Sequence, residues 1–191
     1  MYKSKALKTN FIMNTILTLS SFVFPLITFP YVSRILLPEG TGRVSFATSV
    51  VTYFLLLSQL GIPTYGVRAC ARVRDDRKAL SCVVHELLAI NLLMSVLAYL
   101  LLGGCVFLIP KLRVEKTLIF VISFTIILNA IGMEWLYKAL EQYTYITIRS
   151  VIFKAIAVIA MLLMVRQKSD YIVYGALTIF AASASNICNF V

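Results

Sequence analysis

Lys154 is the residue whose type and place most invite chemistry. It lies inside the apolar run Ile146–Val165, directly before Ala155-Ile-Ala-Val-Ile-Ala-Met161. Placing a Lys or Arg at the centre of a membrane helix costs about 2.5–3.5 kcal/mol or more, so such groups need a reason to be there. Arg149 precedes Lys154 by five positions, which puts the two within about 140° of each other on a helix. In one reading both face a wet cavity and offer positive charge to an anionic ligand. In the other the helix starts late and both snorkel to the interface.

Glu134 and Lys138 are four residues apart, the favourable order for a helical ion pair. A structural pair at the membrane edge fits better than a proton relay. Trp135, Tyr137, Tyr143 and Tyr145 beside them read as an interfacial aromatic belt, with stacking on a sugar ring as the sharper alternative. Asn10, Asn14 and Asn91 are costly if they face lipid. Asn14, Ser20 and Ser21 are therefore expected to face neighbouring helices. Pro25 and Pro30 should bend the first helix, as core packing tolerates and transporter binding sites also use.

Signals of a soluble enzyme are missing. His85, the one histidine, reads as lying at a loop–helix boundary with no second His beside it. No GxSxG, HExxH, P-loop or GxGxxG pattern occurs. Asp75-Asp76 is the one carboxylate pair, and its basic flanks favour a salt-bridged surface loop over a metal site. Cys70, Cys82, Cys105 and Cys188 show no metal-ligand spacing and read as buried small apolar residues. Neither a metal nor a cofactor is expected.

The elements that must hold these residues are transmembrane helices. Of the 191 residues, 60% are hydrophobic and 14% charged. Ordinary soluble domains are nearer 45–50% and about 25%. Six runs meet or approach the roughly 20 residues needed to cross a bilayer. They are Phe11–Val32, Val44–Ile62, Leu87–Ile109, Leu118–Met133, Ile146–Val165 and Tyr171–Val191. The fourth is short unless it continues through Glu134–Tyr137. The first is not a cleavable signal peptide: it exceeds the about 7–15-residue apolar region of one, and it ends in bulky Tyr31 and Val32. Leu37-Pro-Glu-Gly-Thr-Gly-Arg43 reads as a turn in which Gly40 and Gly42 permit positive φ. Gly61-Ile-Pro63 should break the second helix, and Arg68–Glu86 reads as the longest polar connection. Pro110 closes the third helix. No linker divides residues 1–191, so they read as one all-α transmembrane domain of about six helices.

The net charge of +10 does not indicate nucleic acid, because the basic residues sit mostly in gaps between apolar runs. With the N-terminus inside, the cytoplasmic segments hold Lys3, Lys5, Lys8, the dense Arg68–Lys78 cluster, Lys138, Arg149 and Lys154. The outer ones hold fewer: Arg34, Arg43, Lys111, Arg113, Lys116, Arg166 and Lys168. That bias predicts a multi-pass protein of the inner (plasma) membrane with a cytoplasmic N-terminus, its basic cluster against anionic headgroups. The chain stops inside its sixth apolar run, which reads as an N-terminal portion of something longer.

A series of motifs carries a resemblance. Phe24-Pro-Leu-Ile-Thr-Phe-Pro-Tyr-Val-Ser-Arg34 is followed by Leu37-Pro-Glu-Gly-Thr-Gly-Arg43, Phe46-Ala47, Tyr53-Phe54 and Leu60-Gly-Ile-Pro-Thr-Tyr-Gly-Val-Arg68. Glu86-Leu-Leu-Ala-Ile-Asn91, Glu134-Trp-Leu-Tyr137 and Ile146-Thr-Ile-Arg-Ser150 with Lys154 complete it. In this order they resemble Wzx-type oligosaccharide flippases, whose superfamily also contains multidrug exporters. The chain departs from that pattern at Leu37, where the family often has Gly, and at Ala69, where it often has Glu. Family members are about twice as long or more, with two helical lobes around a cavity.

The resemblance implies movement of a polyprenyl-pyrophosphate-linked oligosaccharide from the cytoplasmic to the outer leaflet by alternating access, in O-antigen or capsule biosynthesis. It makes Arg149 and Lys154 the expected phosphate partners, with Arg34, Arg68 and Asn14 as helpers. Its partners would be the lipid-linked oligosaccharide, membrane lipids, and a second lobe or a second copy. A drug/cation antiporter of the same superfamily is the nearest rival and would want a carboxylate deep in the membrane. A polyprenyl-phosphate transferase is the rival from another class and would want an aspartate-rich metal site.

Overall fold

The computed structural model describes residues 2–189, with side chains from Lys8 onward. Lys3 and Lys5, two of the expected N-terminal cations, have side chains outside the described set, as does the end of the sixth run at Val191. Eight α-helices appear among the described residues: α1 (Tyr2–Gln59), α2 (Ile62–Arg72), α3 (Arg77–Leu108), α4 (Pro110–Val114), α5 (Lys116–Gly132), α6 (Glu134–Ala139), α7 (Tyr143–Met164) and α8 (Tyr171–Ser183). A 3-10 segment, Ala184–Asn189, continues α8.

Four helical stretches are long and apolar enough to cross a membrane: Lys8–Arg72, Arg77–Leu108, Tyr143–Met164 and Lys168–Asn189. The apolar helix Lys116–Gly132 is shorter. The six expected crossings fit these rods because the first stretch carries two. Its 65 residues would span about 97 Å if straight, some three times a hydrocarbon core. The break is at Leu37, with φ 60° and ψ 174°. Pro38 comes next, and a residue before proline is steered out of the α region into extended ψ.

Contacts give the directions on either side of that break. Met13 meets Thr147 at the start of α7, and Tyr31 meets Leu162 and Val165 at its end. The first half of α1 therefore runs parallel to α7. Val44 and Ala47 pack in one cluster with Leu112 and Leu118. Ile62, at the start of α2, packs with Leu87 and Trp135. The second half of α1 thus returns towards the end of the bundle where α6 and α7 begin. The expected turn exists, but Leu37 takes the positive φ, while Gly40 and Gly42 are helical.

The next break falls as expected. Leu60 (φ 43°) and Gly61 (φ 75°) are left-handed, and proline opens α2. Beyond Gly61 the chain is helical, where a long polar loop was expected to begin soon after. Ile62, Gly66 and Cys70 are buried at four-residue spacing, while Tyr65, Arg68 and Arg72 are exposed. That is an amphipathic helix, and it leaves only Val73–Asp76 as the connection. A Cβ at Gly66 would sit 2.8 Å from the Trp135 ring, so the glycine lets α2 lie against α6. Trp135 is accordingly buried, not part of an interfacial belt.

Asp76 is the N-cap of α3, accepting from the backbone N–H groups of Lys78 at 2.9 Å and Ala79 at 3.2 Å. Capping, not the expected salt bridging, is its role. Cys82 is exposed, against expectation, and its thiol points to Glu86 Oε1 at 3.5 Å. Cys70 is fully buried.

Between the helices, packing relies on small residues. Ala47, Ala98 and Ala157 are fully buried. In lipid, close van der Waals contact and interhelical hydrogen bonds replace the hydrophobic drive. Tyr99 supplies one such bond, to the Ser123 carbonyl at 2.5 Å. The outer surface carries Leu93, Leu100, Phe107 and Phe120, each more than 60% exposed. Large apolar groups outside and small or polar ones inside are the arrangement that a bilayer solvates.

Candidate functional site

A cleft of about 550 Å³ opens between the first half of α1, α6, α7 and the end of α8. Lys154 and Arg149 both line it. Because α1 and α7 run parallel, Ser20 and Ser21 arrive beside Lys154. The ammonium donates to both hydroxyls, each at 2.9 Å. Those two bonds supply part of the solvation that water would give, which is how a cation persists beside apolar helices. Asn14, one turn and a half earlier on α1, lines the same cleft and is exposed.

Arg149 is held differently. It is only 7% exposed, and its Nη1 donates to Asn189 Oδ1. Its guanidinium carbon lies 5.4 Å from the centroid of the Tyr145 ring, a cation–π distance. Its Nε has no partner among the described residues. An orphaned buried donor costs about 1–3 kcal/mol unless something accepts from it.

Glu134 and Lys138 form the expected ion pair, 2.9 Å apart and both partly exposed, on the cleft wall. The cleft therefore holds three cations, Arg149, Lys154 and Lys138, against one carboxylate. Neither Arg149 nor Lys154 belongs to an ion pair among the described residues. Their hydrogen-bond partners are amide and hydroxyl oxygens.

Arg34 and Arg68 are exposed and do not line this cleft. Arg34 lies towards the Leu37 end of α1, Arg68 on α2 at the opposite end. The structure unites Arg149, Lys154 and Asn14 and leaves those two arginines apart. Asn91 is buried and donates to the Ala130 carbonyl at 3.4 Å. His85 bonds within its own turn, to the Ser81 carbonyl at 2.7 Å.

Ser185, Asn186 and Asn189 are not among the residues that the sequence singles out. Ser185 and Asn186 line the cleft, and Asn189 grips Arg149. Asn189 also donates through Nδ2 to the Gly132 carbonyl. The signal in the sequence is the pair of amides inside an otherwise apolar sixth run, where facing lipid would be costly.

The family described as "Polysaccharide biosynthesis protein" matches residues 7–191. This chain belongs to that family. A protein of Escherichia coli (strain K12) named "Putative O-antigen transporter" is 22% identical over 182 residues, 95% of this chain and 43% of that protein. One of the same name from Shigella dysenteriae is 26% identical over 167 residues, 87% of this chain and 41% of its own length. The chain thus spans about two fifths of the relatives it matches. No solved structure matches it. Membership of a polysaccharide biosynthesis family and an all-α apolar bundle together make the chain a multi-pass membrane protein of that family.

Proposed function

We propose that the chain is one lobe of a flippase that carries a polyprenyl-pyrophosphate-linked oligosaccharide from the cytoplasmic to the outer leaflet of the inner membrane. The observation that carries this reading is that Arg149 and Lys154 share a cleft between membrane helices with neither in an ion pair among the described residues. A pyrophosphate crossing hydrocarbon needs compensating charge along its route. Two cations held by neutral oxygens supply it without covalent chemistry. Asn14, Ser185 and Asn186 add amide and hydroxyl groups able to bond sugar hydroxyls.

The cleft is the face to which a second lobe, or a second copy, would be apposed, and rocking of the two would give alternating access. The N-terminus and α2 lie on the cytoplasmic side, where exposed Arg68, Arg72, Arg77 and Lys78 meet anionic headgroups. Asp76, which a metal-dependent transferase would need, spends its carboxylate on capping α3.

The test is restoration of surface polysaccharide in a strain lacking its flippase. The 191-residue chain alone should not restore it. A gene encoding this lobe joined to a second lobe should. Full restoration by the chain alone would contradict the one-lobe reading.

A further inference from the structure

We propose that Asn189 is the positioning residue of Arg149, holding the guanidinium towards the cleft by a neutral bond that leaves its whole charge for the pyrophosphate of the substrate. This rests on the reading of Arg149 as a phosphate partner. The orientation of the amide is fixed from both sides. Nδ2 donates to the Gly132 carbonyl, so Oδ1 must face Arg149, which can only donate. A flipped amide would set donor against donor and oxygen against oxygen.

The segment carrying Asn189 is itself tied down. Tyr137 Oη donates to the Asn189 carbonyl at 3.2 Å, and Tyr145 Oη to the Cys188 carbonyl at 2.9 Å. The two rings stack with centroids 5.3 Å apart, and Arg149 lies over the second. Beside them, a Cβ at Gly132 would stand 2.5 Å from Asn186 Cγ, so the end of α5 needs glycine to let this segment approach. The chain thus commits α5, α6, α7 and the 3-10 segment to one amide. A carboxylate there could not donate to the Gly132 carbonyl and would cancel the charge of Arg149.

The test is a double-mutant cycle on the purified chain in detergent, with farnesyl pyrophosphate as probe and farnesol as the uncharged control. Arg149→Met should weaken pyrophosphate binding at least tenfold and leave farnesol unchanged. Asn189→Leu, of similar size, should weaken it by a similar factor in the wild-type background and have no effect in the Arg149→Met background. A melting temperature for each variant separates folding from binding. Should Asn189→Leu fail to give a monodisperse protein, Asn189→Ala, which removes the amide and adds no charge, takes its place, with the same pattern expected. Unchanged binding in Arg149→Met would remove Arg149 from the site and this inference with it. Weak binding in Arg149→Met, with Asn189→Leu either silent or additive, would overturn the positioning role alone.

Discussion

Lys154 Nζ lies 2.9 Å from Ser20 Oγ, across the contact between α7 and the first half of α1. Ser21 completes the cradle at the same distance. A buried or half-buried ammonium is tolerable when hydroxyls replace lost water, and here both come from adjacent positions on one helix. Hydrogen bonds to charged groups contribute about 1.5–3 kcal/mol. The double change Ser20→Ala with Ser21→Ala removes two such bonds and should destabilise the lobe by about 3 kcal/mol, twice the lower per-bond figure because the site is partly exposed, read as a lower melting temperature in detergent. Restoring stability by adding Lys154→Met would tie the loss to the ammonium. No rescue would mean that the serines act through packing instead.

Leu37 is a strained point of the backbone. A φ of 60° with ψ of 174° is a region that glycine occupies almost alone, at a cost of about 1–3 kcal/mol for other residues. The side chain is 39% exposed, so little burial is lost by removing it. Leu37→Gly should raise the thermal midpoint of the purified protein, corresponding to about 1 kcal/mol. A fall would show that the side chain contributes more than the strain costs.

The ends of the bundle make a topological prediction. Arg74 and Glu141 pair at 3.0 Å, so the α2–α3 connection and the α6–α7 connection lie on one side. In a version without native cysteines, cysteine at position 76 or 140 should resist an impermeant thiol reagent in intact cells. Cysteine at 113 or 168, both exposed positions, should react. Labelling at 76 with silence at 113 would invert the proposed orientation.

Much of the fold was legible because apolar run length directly reports membrane helices. The break at Leu60 and Gly61 was legible because Gly-Ile-Pro is poor helix material. Leu37 was not, because leucine disfavours the backbone it adopts, and the neighbouring glycines drew attention away from it. Helix α2 was hidden because its buried stripe is only Ile62, Gly66 and Cys70 among arginines. Pairing Trp135 with Gly66 required knowing that α2 and α6 meet. In the site, a Lys and an Arg inside an apolar run announced themselves through their cost. Asn189 did not, since it stands 40 residues from Arg149 and only the packing of α5, α7 and α8 brings them together.

The central claim is that the cations of this cleft carry the pyrophosphate across. It is tested most directly in proteoliposomes, by measuring the rate at which a fluorescent polyprenyl-pyrophosphate-linked oligosaccharide changes leaflet. The two-lobe transporter of which this chain is the proposed first part should be compared with its Lys154→Met and Lys154→Arg variants at matched abundance. Removing an intramembrane charge favours insertion, so Lys154→Met should reconstitute normally. Its flipping rate should nevertheless fall at least tenfold, with Lys154→Arg retaining part of the rate because the charge stays while the geometry changes. A wild-type rate in Lys154→Met would contradict the account.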